Sequence, residues 1–421
     1  MKTLALVGSV LGLLALRQPL LVILLAAAAC VHLFWGRGNL EDIIEDMWVG
    51  LDKEVILSIP LFILCGSVMT RGSIAHRVIR ILSSITKPLP GGLAVATILS
   101  CAVFAAISGS SIVTMLAIGS VMYPAMRQAG YDNKFSLGAI MSGGTLGIVI
   151  PPSIPMIIYG LVTETSVTDL FLAGFGPGLL LTLALSAYSA WHNWSMPTVP
   201  FKADELWFAM RDGIWAALMP VILLGGIYSG YFTATEAAAV ALVYALLIEI
   251  FVYKELKAGD FYHVVLETSK LGGSLFPLIA VALSLNIILT EHRAPQALVE
   301  FMQGYISSPL AFIILVNLLL LIVGCLMTTG EAILVLAPLL APLAESYGYS
   351  KVLFGLIMIL NLEIGYLTPP VGLNLIVAMG AFKQSFGVLC RAAVPFIGIM
   401  LLCLALVIWQ PWIAMYLVSR G

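Results

Sequence analysis

The sequence contains one glycine and proline pattern twice, at a constant separation along the chain. Gly147 followed by Pro151-Pro152 recurs as Gly365 followed by Pro369-Pro370, with the same internal spacing in both copies. The same separation relates a second pattern, a proline followed by Gly-Tyr, which occurs at Pro124 and again at Pro342. Interrupted segments that recur in both halves of a membrane-spanning chain are typical of transporters, and they mark the region of the binding site.

Composition indicates an all-α polytopic membrane protein. Hydrophobic residues make up 61% of the sequence and charged residues only 10%, against roughly 25% charged residues in soluble domains. The net charge of -2 is spread over loops, so membrane lipid is an expected neighbour and nucleic acid is not. The six cysteines lie in apolar runs without C-x-x-C spacing, and no transition-metal site is predicted.

The amino terminus begins with two apolar runs, 4–16 and 20–35. A signal peptide is disfavoured, because Arg17-Gln18-Pro19 stands where a small-residue cleavage site would lie. We therefore predict residues 1–18 to be an N-terminal membrane segment, with a second membrane segment directly after it.

Several apolar stretches are too short to cross a bilayer, and the short ones come in pairs. Residues 93–126 form two halves around Ser108-Gly109-Ser110-Ser111, and residues 309–344 form two halves around Thr328-Thr329-Gly330-Glu331. Two half-length helices joined by a small polar tip predict a re-entrant hairpin, since non-helical backbone is tolerated at membrane depth only where protein or water satisfies it.

Loop charges predict that the two halves have opposite orientations. Residues 70–90 carry three arginines and a lysine, whereas the corresponding stretch 291–308 has Arg293 as its only Lys or Arg. The positive-inside rule places the first stretch in the cytoplasm and the second outside. The apolar positions of 70–90 recur at helical spacing with arginines between them, which favours an interfacial helix.

Two inverted repeats follow from this arrangement, each with scaffold helices, a hairpin and a broken helix. Repeat 1 spans 19–190, with an interfacial arm at 70–90, the hairpin 93–126 and the broken helix 135–163. Repeat 2 spans 236–421, with the hairpin 309–344 and the broken helix 352–381. Residues 191–235 form a linker that includes a connecting helix at 214–231.

Glycines and prolines predict the helix breaks and their chemistry. Gly143-Gly144-Thr145-Leu146-Gly147 precedes Pro151-Pro152-Ser153, and proline removes a backbone donor while clashing with the preceding turn. The freed carbonyl oxygens suit Na⁺, and half-helix amino termini suit a carboxylate. A proline kink that only shapes packing is the alternative for either break taken alone. Two symmetric breaks, each after a polar-tipped hairpin, favour a binding site.

Several separated motifs resemble one family, the large membrane (M) subunit of tripartite ATP-independent periplasmic (TRAP) transporters. The motifs are Ile59-Pro60-Leu61-Phe62, the tip 108–111, Gly147 to Pro152, 233–239 (TATEAAA) and 367–374 (LTPPVGLN). The resemblance implies a sodium-driven importer of an organic acid, such as sialic acid or a C4-dicarboxylate, in the bacterial inner membrane. It also implies an elevator-type fold like that of the ion-transporter superfamily, a small four-helix membrane (Q) subunit and a periplasmic substrate-binding (P) protein.

The resemblance also implies site residues in both halves, with Na⁺ as the coupling ion and no cofactor. Expected Na⁺ ligands are Ser108, Ser110, Ser111, Gly144, Thr145, Gly147, Thr328, Thr329, Gly330, Glu363, Gly365 and Thr368. Expected substrate contacts are Gly109, Pro151, Pro152, Ser153, Glu331, Pro369, Pro370 and Asn374.

Three acidic residues have competing interpretations. Glu236 follows Thr233 by three positions at the start of an apolar run, which predicts a helix capping box rather than a ligand. Glu331 and Glu363 lie in a hairpin tip and a broken helix, where a buried carboxylate is costly without a partner. We predict functional roles for both, with protonated structural carboxylates as the alternative.

Other classes of function remain open alternatives. A single-component elevator carrier for a carboxylate would share the same repeats, and a channel is disfavoured because broken helices in inverted repeats indicate alternating access. An intramembrane serine protease could use the G-x-S match Gly109-Ser110-Ser111, but the five histidines lie at predicted span ends or in loops. No enzymatic activity is therefore expected.

Overall fold

A computed structural model describes residues 2–36 and 38–418 of the chain, which form twenty α-helices and no strand. The first ten helices are α1 Lys2–Ala15, α2 Leu20–Phe34, α3 Glu41–Leu51, α4 Ser58–Arg71, α5 Ile74–Thr86, α6 Gly92–Ser108, α7 Ser111–Gln128, α8 Asn133–Val149, α9 Ile154–Thr163 and α10 Val167–His192. The others are α11 Ala203–Tyr228, α12 Ala234–Leu247, α13 Ala258–Glu291, α14 Ala294–Gln303, α15 Pro309–Gly324, α16 Thr329–Ser346, α17 Lys351–Gly365, α18 Leu373–Phe382, α19 Phe386–Trp409 and α20 Trp412–Met415.

Eight helical segments of the described chain are long and apolar enough to cross a membrane. They are Glu54–Arg71, Asn133–Thr163, Val167–His192, Ala203–Tyr228, Ala234–Val252, Gly259–Glu291, Thr329–Ser346 and Phe386–Trp409. Shorter apolar helices include α2, α6, α15 and α18. The predicted class, an all-α polytopic membrane protein, is confirmed.

Helix pairs occupy both stretches in which the sequence predicts hairpins. Helices α6 and α7 flank the first polar tip, and α15 and α16 flank the second. The predicted broken helices correspond to α8 with α9 and to α17 with α18. The connecting helix α11 is longer than predicted, because it begins at Ala203 rather than at 214. Asp204 and Glu205 in its first turn favour that earlier start, since acidic side chains stabilise a helix amino terminus.

The duplication seen in the sequence extends to the backbone. Helix α16 begins as many residues after the start of α7 as the second Pro-Pro pair lies after the first, and the same separation relates α17 to α8. Helices α9 and α10 are separated from α18 and α19 by only one position more. Both copies of the Pro-Pro pair contain a cis peptide bond. The two halves therefore have the same order of elements, from the hairpin to the broken helix to a long final helix.

The halves interlock instead of packing as separate units. Helix α2 packs against α13 of the second half, and α12 packs against α4 of the first. The broken helices meet the opposite hairpins, since α9 packs on α16 and α18 on α7. Nearly every residue of α8 and of α17 is buried, which places the first segments of both broken helices at the centre of the molecule.

The predicted inversion can be tested by thiol labelling from one side of the membrane. Arg80 on α5 and Tyr305 after α14 both have largely exposed side chains. We expect Tyr305→Cys to react with a membrane-impermeant maleimide in intact cells, and Arg80→Cys to react only after permeabilisation, because the two arms are predicted on opposite faces. Labelling of both positions from the same side would contradict the inverted topology.

Candidate ion and substrate site

A cavity of about 280 Å³ lies between the two hairpin tips, the broken helices and the scaffold helices α4 and α13. Both tips contribute to its wall, with Ser108, Gly109 and Ser110 from the first half and Thr328, Thr329 and Gly330 from the second. Helix α4 adds Ile63 and Ser67, α13 adds Leu271, Ser274 and Leu275, and the segment after α17 adds Tyr366. Three predicted site residues from each half thus line the same cavity, although the two groups lie far apart in the sequence.

The first hairpin tip is held by its own hydroxyl groups and by the broken helix. The hydroxyl groups of Ser108 and Thr114 lie 2.7 Å apart, and the Ser110 hydroxyl accepts the amide hydrogen of Val113 at the start of α7. Gly109 has a φ of 61°, a left-handed conformation that glycine adopts without a steric penalty. Its carbonyl accepts the amide hydrogen of Ile154, the first residue of α9.

The glycines of α8 allow this tip to approach the broken helix closely. A Cβ atom on Gly147 would lie only 2.6 Å from the Thr114 hydroxyl oxygen, and Gly144 packs directly against Met115 of α7. Thr145 points its hydroxyl elsewhere, since it donates to the Ser142 carbonyl of its own helix and lies beside Met400. The structure therefore brings Gly144 and Gly147 to the tip, but not the Thr145 side chain.

The second half repeats this contact between hairpin and broken helix. A Cβ atom on Gly365, the last residue of α17, would lie 2.6 Å from the Gly324 Cα at the end of α15. The amide of Gly372, just before α18, donates to the Cys325 carbonyl at 3.1 Å. In each half, a residue at the start of the second segment of the broken helix thus donates a backbone hydrogen bond to the residue directly after the first hairpin helix.

Glu331 belongs to a helix capping box, a structural role that the sequence predicts above only for Glu236. The Thr328 hydroxyl accepts the Glu331 amide hydrogen, and the Glu331 carboxylate accepts the Thr328 amide hydrogen at 2.9 Å. Thr233 and Glu236 form the same capping box at the start of α12, as predicted. The box satisfies two amide donors at the start of α16, while a substrate contact by Glu331 stays a prediction.

Thr329 places an unpartnered hydroxyl beside the cavity. Its amide donates to the Tyr366 hydroxyl at 2.6 Å, which links the second tip to the break of α17 and α18. Its own side-chain oxygen is buried beside the Tyr366 hydroxyl and makes no well-formed hydrogen bond to the described residues. A buried hydroxyl without a partner is costly, so this atom is available to a ligand.

Glu363 is the central acidic residue of the candidate site. Its side chain is fully buried, with Ser111 and Asn374 beside it, yet neither carboxylate oxygen makes a well-formed hydrogen bond to the described residues. Asn374 donates to the Ser111 hydroxyl at 2.6 Å, and its own Oδ1 has no partner there. Hairpin 1, α17 and α18 therefore meet at a cluster of oxygen atoms with unused acceptor capacity.

The two Pro-Pro breaks differ in their surroundings. Pro151, Pro152 and Ser153 are buried, and the Ser153 hydroxyl caps α9 by accepting the Met156 amide hydrogen. In the second half, Pro369 and Pro370 are exposed. Thr368 is half-buried, and its hydroxyl donates to the Ile364 carbonyl. The second break is thus more accessible to a substrate than the first.

The structure adds residues that sequence reasoning missed. Tyr366 contacts hairpin 2 and lines the cavity, and its position directly after Gly365 in the second break was an available signal. Thr114 pairs with Ser108 from one helical turn inside α7. Ser67 and Ser274 line the cavity from scaffold helices whose sequences carry no motif at those positions.

Among the described residues, no histidine is recorded within hydrogen-bond reach of Ser110 or Ser111, the serines of the G-x-S match. The Ser111 hydroxyl accepts a hydrogen bond from the Asn374 side chain, and the Ser110 hydroxyl accepts one from the backbone at the start of α7. The buried His32 contacts Ser284 of α13 and Asp46 of α3 through the same ring nitrogen, Nε2, whereas a catalytic triad uses one ring nitrogen for each partner. His192 stacks on Phe135. These contacts give no support to the protease alternative, since a nucleophile needs a base within hydrogen-bond reach.

Comparison with known proteins gives the family. Residues 7–413 match the family described as "Tripartite ATP-independent periplasmic transporter, DctM component". The "C4-dicarboxylate TRAP transporter large permease protein DctM" of Pseudomonas aeruginosa is 39% identical over 93% of this chain and 92% of its own. The "Ectoine TRAP transporter large permease protein TeaC" of Halomonas elongata is 36% identical over 99% of this chain and 98% of its own.

Two further relatives bear on the assembly and on the fold. The "Isethionate TRAP transporter permease protein DctMQ" of Oleidesulfovibrio alaskensis is 37% identical over 94% of this chain, which covers 63% of that longer protein. The solved YdaH transporter of Alcanivorax borkumensis has the same fold, with a TM-score of 0.65 at 13% identity over 88% of this chain and 87% of its own. With a family match over nearly its whole length and close similarity to two full-length large permeases, the chain belongs to the DctM component family of tripartite ATP-independent periplasmic transporters.

Proposed function

We propose that this chain is the transporting subunit of a sodium-coupled importer of a small carboxylate. The observation that carries the proposal is the buried Glu363 carboxylate, whose two oxygens have no well-formed hydrogen bond within the described residues. A buried unpaired carboxylate is strongly unfavourable, and a bound cation would offset its charge.

The surrounding atoms fit Na⁺. Asn374 Oδ1, beside Glu363, and the Thr329 hydroxyl are buried oxygens without a well-formed hydrogen bond in the described chain, and Thr329 contacts Tyr366, three residues after Glu363. Hard cations prefer oxygen ligands of this kind, and backbone carbonyls at the helix breaks can add more. Glu363, Thr329 and Asn374 would hold the ion, and the bound charge would favour an anionic substrate nearby.

The cavity between the hairpin tips and the scaffold supports an elevator mechanism. The tips of both hairpins face α4 and α13 across this space, so the wall consists of two groups of elements that can slide past each other. Substrate carboxylate groups would bind at the tips and the exposed second break, where helix amino termini carry positive dipoles.

The proposed assembly has a small Q subunit and a periplasmic P protein, and it resides in the inner membrane. The family description supports three parts, and the DctMQ relative supports a Q partner for this chain. Relatives named for C4-dicarboxylate, ectoine and isethionate support a small organic acid or zwitterion as substrate.

Reconstituted transport tests this proposal. We expect proteoliposomes that contain this chain and its Q subunit to accumulate labelled substrate only with an inward Na⁺ gradient and the P protein. Replacing Na⁺ by choline tests the coupling ion, and omitting the P protein tests the tripartite arrangement. Equal uptake without Na⁺ would refute sodium coupling, and equal uptake without the P protein would favour the single-component carrier.

A further inference from the structure

The two hairpin tips present different chemical groups to the cavity between them. At the first tip, the amide hydrogens of Ser111 and Ile112 find no acceptor in the described chain, and no acidic residue lies in the first turn of α7. Ile112 itself lines the cavity. Free amides at a helix amino terminus are donors that suit an anion. The first tip is therefore equipped to hold a carboxylate group.

The amides of the second tip already have acceptors. The Thr329 amide donates to the Tyr366 hydroxyl. The amides of Thr328 and Glu331 are satisfied within their capping box, which uses one oxygen of the Glu331 carboxylate. The other carboxylate oxygen makes no hydrogen bond or ion pair in the described chain, and the Thr329 hydroxyl makes no well-formed hydrogen bond there. This tip therefore offers oxygen atoms that can accept from a ligand, in place of amides that donate.

The Glu331 carboxylate lies next to the wall of the cavity. It folds back onto Thr328, a lining residue, and accepts its amide hydrogen at 2.9 Å. It also acts electrostatically on Tyr366, another lining residue. None of the described residues that line the cavity is itself charged. A carboxylate in the first turn of α16 offsets the positive dipole of that helix, so the second tip does not attract an anion as the first tip does.

Most of the wall between the tips is apolar. The scaffold contributes Ile63 of α4 with Leu271 and Leu275 of α13, and only two serine hydroxyls. Hydroxyl groups along the body of a substrate would lose hydrogen bonds to water here without finding enough partners. The volume of about 280 Å³ is also small beside the roughly 300–1,000 Å³ of typical small-molecule sites. The cavity therefore suits a short substrate with polar groups at its two ends.

We propose that the transported substrate is a compact zwitterion, with one carboxylate at the amides of Ser111 and Ile112 and one cationic group near Glu331. A second carboxylate in place of the cationic group would face Glu331 as a like charge, whereas a cationic group gains a charge-assisted interaction. Glu331 is thus the residue that determines which charge the second tip accepts. The inference rests on the proposed function, because it uses the same cavity and the same Na⁺, and it adds the class of substrate.

Three four-carbon acids that differ at one end test the substrate class. Butyrate has an apolar end, γ-aminobutyrate a cationic end and succinate a second carboxylate. Each is titrated in Na⁺ and in choline against the chain with its Q subunit in nanodiscs, without the P protein, and the shift in melting temperature gives an apparent Kd. We expect γ-aminobutyrate to bind about ten-fold more tightly than butyrate, as a hydrogen bond between charged groups allows, and succinate to bind more weakly than butyrate.

Glu331→Gln tests the residue that sets this order. Glutamine can take the same position in a capping box, so the start of α16 stays intact while the charge is removed. We expect the apparent Kd of γ-aminobutyrate to rise about ten-fold, that of succinate to fall and that of butyrate to stay unchanged. Glu236→Gln makes the same exchange in the capping box of α12 and should keep the wild-type order. Melting without ligand shows whether each variant is folded.

The results separate the substrate class from the proposed function. Na⁺-dependent binding of succinate or butyrate at least as tight as that of γ-aminobutyrate would overturn the zwitterion and leave the carboxylate importer standing. In Glu331→Gln, an unchanged order or an equal loss for all three acids would contradict the role of Glu331, since damage to the tip affects every ligand alike. If that variant does not fold, the wild-type order decides. No Na⁺-dependent binding of any of the three acids to the wild type would refute the proposed sodium-coupled site itself.

Discussion

Replacing Glu363 by glutamine is expected to remove most sodium-driven uptake. Glu363 is the one acidic residue in the oxygen cluster formed with Ser111 and Asn374, and the proposed function requires its ionised form to bind Na⁺. Hydrogen bonds to charged groups are worth about 1.5–3 kcal/mol, and an effect of that size corresponds to about 10- to 150-fold in Na⁺ affinity. Initial uptake rates measured against Na⁺ concentration should therefore show half-saturation displaced upward by that factor.

The glutamine variant should fold as well as the wild type. Its amide group can donate to the unpartnered Asn374 Oδ1, whereas the carboxylate can only accept. The matched control is Glu236→Gln, because Glu236 lies in a capping box at the start of α12, where glutamine can serve the same purpose. We expect the control to keep its Na⁺ dependence. A wild-type Na⁺ response in the Glu363 variant would remove this residue from the ion site.

Sequence reasoning succeeded where local chemistry determines the backbone. Proline and clustered glycine interrupt helices wherever they occur, and a bilayer tolerates such breaks only inside protein, so the helix breaks after Gly147 and Gly365 could be placed from residue types alone. The capping box at Glu236 was equally local. The same Thr-x-x-Glu spacing occurs at Thr328 and Glu331, and applying that rule a second time would have predicted the second box.

The contacts between halves could not be predicted in this way. Ser111 and Asn374 are 263 residues apart in the sequence. Glu249 is 176 residues from Ser73, the residue just before the helix that Glu249 caps. Their pairing depends on how interlocked helices pack, which no periodicity or spacing in one segment encodes. Nor does any residue pattern indicate that the Pro-Pro break is buried in the first half and exposed in the second, because exposure depends on which helices cover each break.

Substitution of Gly365 by alanine is expected to abolish uptake by displacing the second hairpin. The added Cβ would lie 2.6 Å from the Gly324 Cα and 2.9 Å from the Cys325 backbone nitrogen, both of which are main-chain atoms. Main chain cannot rotate away as a side-chain end can, so α15 and α17 must separate. Overpacking of this kind costs about 1–3 kcal/mol, and it would move the second hairpin away from Tyr366 and the break that follows Glu363.

The matched control for this variant is Gly380→Ala on α18, where nothing lies within 4 Å of the added atom. We expect the control to import at the wild-type rate and to melt at the same temperature. Gly365→Ala should instead melt several degrees lower and lose sodium-dependent uptake even below its melting temperature, since the damage is to the approach of hairpin and broken helix. Wild-type uptake by Gly365→Ala would mean that the tip and the break need not touch for transport, and the ion site would then have to be assigned to the first half alone.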